Sequence, residues 1–184
     1  MSMMRLGLFF RELAERETRT VILKAPALQY GRLVLPADEY GFDELYCVER
    51  ACDCRRVMIN VLARHARAHV ATINHAFDPP SHDYDPPDQT FLDPLNRQSE
   101  WSDALLDIFV NVVLADSAYR QRLLRHYNLF KEAVADPSHP CQRFVRESEL
   151  EEDGGGDGRV ASLADSSTPS ARQTQVAVGF ASVR

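Results

Sequence analysis

The sequence has no apolar run that approaches the length of a membrane helix. The opening "MSMMRLGLFFRELAER" superficially resembles a leader, but its apolar stretch from Leu6 to Phe10 ends at once in charges. A cytoplasmic protein is therefore the expectation, with no membrane partner. A basic surplus is missing too. The 184 residues carry a net charge of −6. From Glu147 onward seven acids face three bases, which puts −4 in the tail and leaves the body near −2. That balance disfavours a broad nucleic-acid footprint, leaving only a local patch around Arg50, Arg55 and Arg56. There is no glycine-rich phosphate loop, no nucleophile elbow and no His-x-x-x-His helix, which removes the common signatures of nucleotide binding, acyl transfer and zinc proteolysis. No internal repeat is present. Cysteine is scarce, at four residues, and in a reducing compartment four cysteines speak for metal or inert packing before disulfides.

What is present is one domain's worth of chain with an ordinary apolar fraction of 45%. Residues 19–36, "RTVILKAPALQYGRLVLP", hold two β-rich runs around a proline and a glycine and read as a hairpin or two edge strands. Three further strands are expected at Leu45–Val48, Arg55–Ala63 and Ala68–Phe77. In the second of these Val57, Ile59 and Val61 share one face, and Met58, Asn60 and Leu62 the other, so it should be buried on one side and partly covered on the other. "RHAR" at 64–67 reads as a hairpin loop that sets Ala63 opposite Ala68.

Residues 78–98 hold five prolines and five aspartates, which no regular helix or central strand survives; a long loop is expected. "SHDYD" within it offers His82, Asp83 and Asp85 as a weak hard-cation site, although such acids usually just face water. Two helices should follow. Ser99 would cap the first, with Ala104, Leu105, Ile108, Phe109, Val112 and Val113 as its apolar stripe. Ser117 would cap the second, with Tyr119, Leu123, Leu124, Tyr127, Phe130 and Val134. The fold class is thus α+β: an antiparallel sheet of about five strands packed with two C-terminal helices. Residues 1–146 would form the domain, and 147–184 a disordered acidic tail.

The sharpest chemical signal is "YCVERACDCRR". Cys47, Cys52 and Cys54 stand in a charged turn between two expected strands. Soft thiolates bind zinc tightly, and a turn can fold its sulfurs back onto one point. Cys52 and Cys54 share parity, so in an extended segment they face one way. The strong ribbon pattern of two Cys-x2-Cys pairs is absent, and a closed site needs a fourth ligand. An uninterrupted "RHAR" hairpin would place His75 opposite Arg56, one diagonal from Cys54; a one-residue slip would undo this. His126, His82 and Cys141 are remoter donors, Cys141 at an apparently loose end. An iron–sulfur cluster is disfavoured for want of the fourth ligand. Buried inert thiols and a transient disulfide are the competing readings.

The stretches "YCVERACDCRRVMINVL", "VATINHAF", "LDPLNRQSEWSDALLDIF" and "YRQRLLRHYNLFK" resemble an uncharacterised family of small bacterial cytosolic proteins, some of them named for a zinc-binding SEC-C motif. The resemblance spans roughly residues 40–134. It implies that Cys47, Cys52 and Cys54 belong to a shared metal pattern, and that Arg125, His126, Tyr127, Phe130 and Lys131 form a second shared block. The SEC-C segment itself is absent, since no cysteine follows Cys141. The family commonly has an aromatic residue at the place of His75, which favours His126 as the fourth ligand. The leading functional reading is a small zinc-binding protein with a structural ion, working through a protein partner. The alternatives are a zinc hydrolase with Asp53 or Asp83 as base, and a nucleic-acid- or ribosome-associated module that uses Arg55 and Arg56.

Overall fold

The computed structural model describes residues 2–79, 86, 88–153 and 175–177. Its centre is strand β5 (Glu39–Cys47). On one side β5 pairs antiparallel with β6 (Arg56–Ala63), which pairs with β7 (Ala68–Ala76) and through it with a short edge strand, β8 (Thr90–Leu92). On its other side β5 serves two partners in turn. β2 (Arg19–Ile22) runs along its first half and β1 (Met3–Arg5) along its second. Two short helices, α1 (Leu6–Phe9) and α2 (Arg11–Glu17), carry the chain from β1 to β2. The leader-like start is thus part of the domain, and Phe9 stacks on Phe130 of the helical layer with ring centroids 4.2 Å apart.

The antiparallel sheet expected from the sequence is present, with differences that have local causes. β5 begins six residues before the expected Leu45. Its first half contains Asp43, Glu44 and Gly41, which lower any composition-based strand signal. Here burial decides, because Tyr40, Phe42 and Tyr46 alternate onto the core face. Residues 19–36 split between two sheets. β2 joins the main sheet, while β3 (Ala27–Gln29) and β4 (Arg32–Leu35) form a separate two-stranded hairpin. Tyr30 (φ 52°) and Gly31 (φ 75°) are both left-handed, as the tight two-residue turn between twisted strands demands.

The β6–β7 hairpin pairs Ala63 with Ala68 as expected, but a bulge follows between Val61 and Leu62. The bulge moves the register by one residue, so His75 faces Val57 and Arg56 faces Ala76. The faces of β6 are as read: Val57, Ile59 and Val61 are fully buried, while Met58 and Asn60 are half-buried.

The helical layer contains α3 (Ser102–Ile108), a π-helical turn continuing it (Phe109–Val113), α4 (Ser117–Ala135) and α5 (Gln142–Asp153). α3 begins three residues after Ser99, and its N-cap position is Trp101, with no side-chain cap. Asp116, not Ser117, caps α4; its carboxylate accepts from the backbone N–H groups of Ala118 and Tyr119. The apolar stripes meet the sheet through Phe42 stacked on Phe109 (5.7 Å) and Tyr46 against Phe130 (5.4 Å). Leu105, Phe109, Leu123 and Phe130 are fully buried, but Leu124 turns outward and is 37% exposed.

Helix α5 is additional to the two expected helices and carries residues 147–153 of the expected tail. Glu and Leu are strong helix formers, a local preference hidden in the average composition of the whole tail. Gln175–Ala177 form a short strand, β9, parallel to β2. The remainder of the expected disordered tail lies outside the described residues. So do His82, Asp83 and Asp85 of the Pro/Asp-rich segment. That segment supplies the edge strand β8, which the reading of 78–98 as loop did not include.

Candidate metal centre

Cys47 is the last residue of β5 and is fully buried, where it pairs with Met3 of β1. The chain then leaves the sheet for eight residues and returns as β6. Within this turn Cys52 and Cys54 are half-buried. Two features bend the turn back over the end of β5. The Cys52 N–H donates to the Glu49 carbonyl (3.3 Å), and Arg55 takes a left-handed backbone conformation (φ 44°) just before β6. The sulfurs of Cys47, Cys52 and Cys54 consequently lie within 4.8 Å of one another, and all are free thiols.

That spacing is close to what one metal ion requires. With Zn–S bonds of about 2.3 Å and tetrahedral angles, ligand sulfurs sit roughly 3.8 Å apart. The remaining difference is within reach of side-chain rotation at the two half-buried cysteines. Without an ion the three thiols interact with each other. The Cys54 thiol is held below its ordinary pKa, chiefly by the S–H of Cys47, which outweighs its burial. The same hydrogen bond, together with burial, drives Cys47 upward, and burial followed by Cys47 raises Cys52. Cys54 is thus the thiol of the three that gives up its proton most readily. A divalent cation would replace those protons.

The turn is tied to every neighbouring element. The Ser2 N–H donates to Glu49 Oε1 (3.0 Å), and the Lys131 ammonium of α4 donates to the Glu49 carbonyl (2.8 Å). The Tyr127 hydroxyl of α4 donates to Asp53 Oδ1 (3.1 Å), while Arg50 donates to Gln142 of α5. The Phe77 N–H donates to the Arg55 carbonyl (2.9 Å). Tyr127 and Lys131, two members of the block singled out in the sequence, thus have a defined place: they hold the cysteine turn from the helical side.

The two histidines expected as a fourth ligand do not join the cluster, which among the described residues comprises the three cysteines alone. The bulge in β6–β7 puts His75 on the core side of the sheet. There its Nδ1 lies 2.8 Å from Thr90 Oγ1 and its ring meets Phe77 and Phe109 edge-on. Burial, with a smaller contribution from Arg56, depresses its pKa to about 4, so it is neutral at physiological pH. His126 is fully buried, with Nδ1 2.7 Å from Glu44 Oε2 and Nε2 3.2 Å from Glu17 Oε2. Both of its ring nitrogens are occupied. Cys141, expected at a loose end, is buried beneath α4, and its thiol donates to the Ala133 carbonyl (3.3 Å). Arg55 and Arg56, expected to face a partner, are engaged within the chain. Arg55 pairs with Asp78; Arg56 donates to Asn74 Oδ1 (3.0 Å) and lies over the Phe91 ring.

Sequence reasoning missed a polar group at the sheet–helix interface: Arg19, Glu44, Tyr46, Tyr119 and His126, all buried, with the half-buried Arg122 beside them. The Tyr46 hydroxyl donates to Glu44 Oε2 (2.8 Å), and Arg19 Nη1 lies 3.3 Å from Asp116 Oδ2. One local signal existed, an arginine and a glutamate at core-facing parity in strands, but it becomes readable only once the strand ends and register are known.

Comparison with protein-family models, curated proteins and solved structures finds no match for this chain.

Proposed function

We propose that the protein binds one zinc ion through Cys47, Cys52 and Cys54, that the ion is structural, and that the clamped turn serves a protein partner in a reducing cytoplasmic compartment. The observation that carries the reading is the convergence of three free sulfurs within 4.8 Å, one from the end of a core strand and two from the turn that follows it. Soft thiolates select zinc over hard cations. A single ion would join the end of β5 to a turn that already contacts α4, α5 and the segment before β1, so metal binding would stabilise the packing of sheet against helices. The fourth position would go to water or to a donor from a partner.

A second reading has one observation in its favour. Three protein donors with no fourth among the described residues match the ligand count of catalytic zinc sites, and Asp53 lies in the same turn. The Tyr127 hydroxyl already occupies one oxygen of that carboxylate, which makes Asp53 a poorer base and favours the structural role.

Elemental analysis of protein purified without added metal tests both readings, together with zinc-edge X-ray absorption. The expected result is one zinc per chain with three sulfur neighbours at about 2.3 Å and one lighter atom. A metal-free, folded protein with three titratable thiols would overturn both. A bound zinc whose removal leaves the melting temperature unchanged would favour the catalytic reading over the structural one.

A further inference from the structure

The second unusual feature of the molecule is independent of the cysteines. Among the described residues, the buried side-chain polar atoms without a hydrogen-bond partner are Arg19 Nε, Glu44 Oε1, Tyr119 Oη and both Nε and Nη2 of Arg122. They are not scattered. Arg19 and Glu44 stand on β2 and β5 facing the helices, and Tyr119 and Arg122 stand one turn apart on α4, facing the sheet. The guanidinium carbons of Arg122 and Arg19 lie 4.8 and 5.7 Å from the Tyr119 ring centroid. Burial, and then the charge of nearby Glu44, hold the Tyr119 hydroxyl well above its ordinary pKa, so it remains a donor. Arg19, Glu44 and Tyr119 are 5%, 4% and 1% exposed, and Arg122 is half-buried, with Nε and Nη2 out of solvent. Buried polar groups in folded proteins are almost always satisfied, and five unsatisfied atoms together would cost a large share of a domain's stability.

The chemistry of these atoms specifies a guest. Nε and Nη2 of Arg122 form the planar side of a guanidinium, two parallel N–H groups matched to two oxygens of an oxyanion. Arg19 Nε and the Tyr119 hydroxyl add two more donors. Glu44 Oε1 is the opposite case, an acceptor that needs a donor, while its other oxygen is taken by Tyr46 and His126. Water would satisfy these atoms one at a time, but it brings no charge to the Arg122 fork, whose Nε and Nη2 have no hydrogen-bond partner although the Asp116 carboxylate feels its charge. A single molecule with two or more acceptor oxygens and one hydroxyl meets every requirement.

We propose that this cluster binds one small hydroxyl-bearing oxyanion, of the bicarbonate or dihydrogen-phosphate type, between Arg122, Arg19, Tyr119 and Glu44. The oxygens accept from the two guanidinium groups and the tyrosine, and the hydroxyl donates to Glu44. Because these residues stand on β2, β5 and α4, the anion would link sheet to helix, and its occupancy would govern how firmly α4 is seated.

The test is calorimetric titration and thermal unfolding of the full chain with sodium bicarbonate, sodium phosphate at pH 6.5, sodium formate and sodium chloride at matched ionic strength. The expected result is saturable one-to-one binding of bicarbonate or phosphate, with Tm raised by roughly 5–10 °C at a hundred-fold excess over Kd. Bicarbonate alone or phosphate alone would identify the source. Arg122→Gln should abolish the rise, and Tyr119→Phe, which keeps the ring, should weaken binding about tenfold. Equal binding of formate would overturn the requirement for a hydroxyl. No saturable binding by the unmodified chain, an equal rise in Arg122→Gln, or crystals grown in the anion with no anion between these four residues would overturn the proposal, and the first and last of these need no variant to fold.

Discussion

Substituting Cys47 and Cys52 separately by alanine distinguishes a metal site from three packed thiols, because the two residues differ in burial but not in ligand role. Cys47 is fully buried and Cys52 half-buried. If the thiols are inert, the cost should follow burial: roughly 1 kcal/mol for one sulfur removed from the core at position 47, and about half that or less at position 52. If they share an ion, either change removes one of three ligands and forfeits most of the binding free energy. With free zinc a thousand-fold above Kd, that linkage is worth about 4 kcal/mol. For a chain of this length it corresponds to a fall of roughly 8–16 °C in melting temperature. Both variants should therefore drop together toward the melting temperature of the chelator-treated parent, and chelator should have little further effect on either. Thermal unfolding with and without a zinc chelator, alongside metal content, measures this directly. A loss at Cys47 that clearly exceeds the loss at Cys52, with no response of the parent to chelator, would refute the metal argument and establish the cysteines as packing.

Two further predictions rest on the fold. Leu123→Ala should cost about 2–5 kcal/mol as a core truncation, whereas Leu124→Ala, on the adjacent but 37% exposed position, should cost under about 1 kcal/mol in urea denaturation; equal losses would mean that the rotation of α4 is wrong. His75 supplies a pH signature. Its pKa falls from 6.5 in the unfolded chain to about 4 in the fold, so the unfolded state binds the extra proton between those values. Its contribution is fully present above pH 6.5 and is lost as pH falls toward 4, by up to about 2 kcal/mol between pH 6.5 and 5. His75→Phe should flatten that part of the stability–pH profile, and an unchanged slope would show that another group carries it.

The sequence by itself determined what depends on neighbours along the chain. The alternation of Val57, Ile59 and Val61 defines a one-sided strand in any context, and "RHAR" closes a hairpin at Ala63 and Ala68 whatever lies beyond it. The helical repeat of Leu123, Tyr127 and Phe130 likewise specifies an inward face. The convergence of Cys47, Cys52 and Cys54 was legible for the same reason, since eight residues of turn leave few ways to part them. Tertiary structure decided the rest. One bulge between Val61 and Leu62 shifted His75 from the row of Arg56 to that of Val57, because strand register propagates every local insertion to the end of the ladder. His126 met Glu44 and Glu17 because α4 crosses β5 and the end of α2, contacts separated by 82 and 109 positions. The cluster of Arg19, Glu44, Tyr119 and Arg122 draws on three elements distant in sequence. No local pattern encodes such a meeting, because burial of a charged side chain is settled by what packs over it and not by its neighbours in the chain.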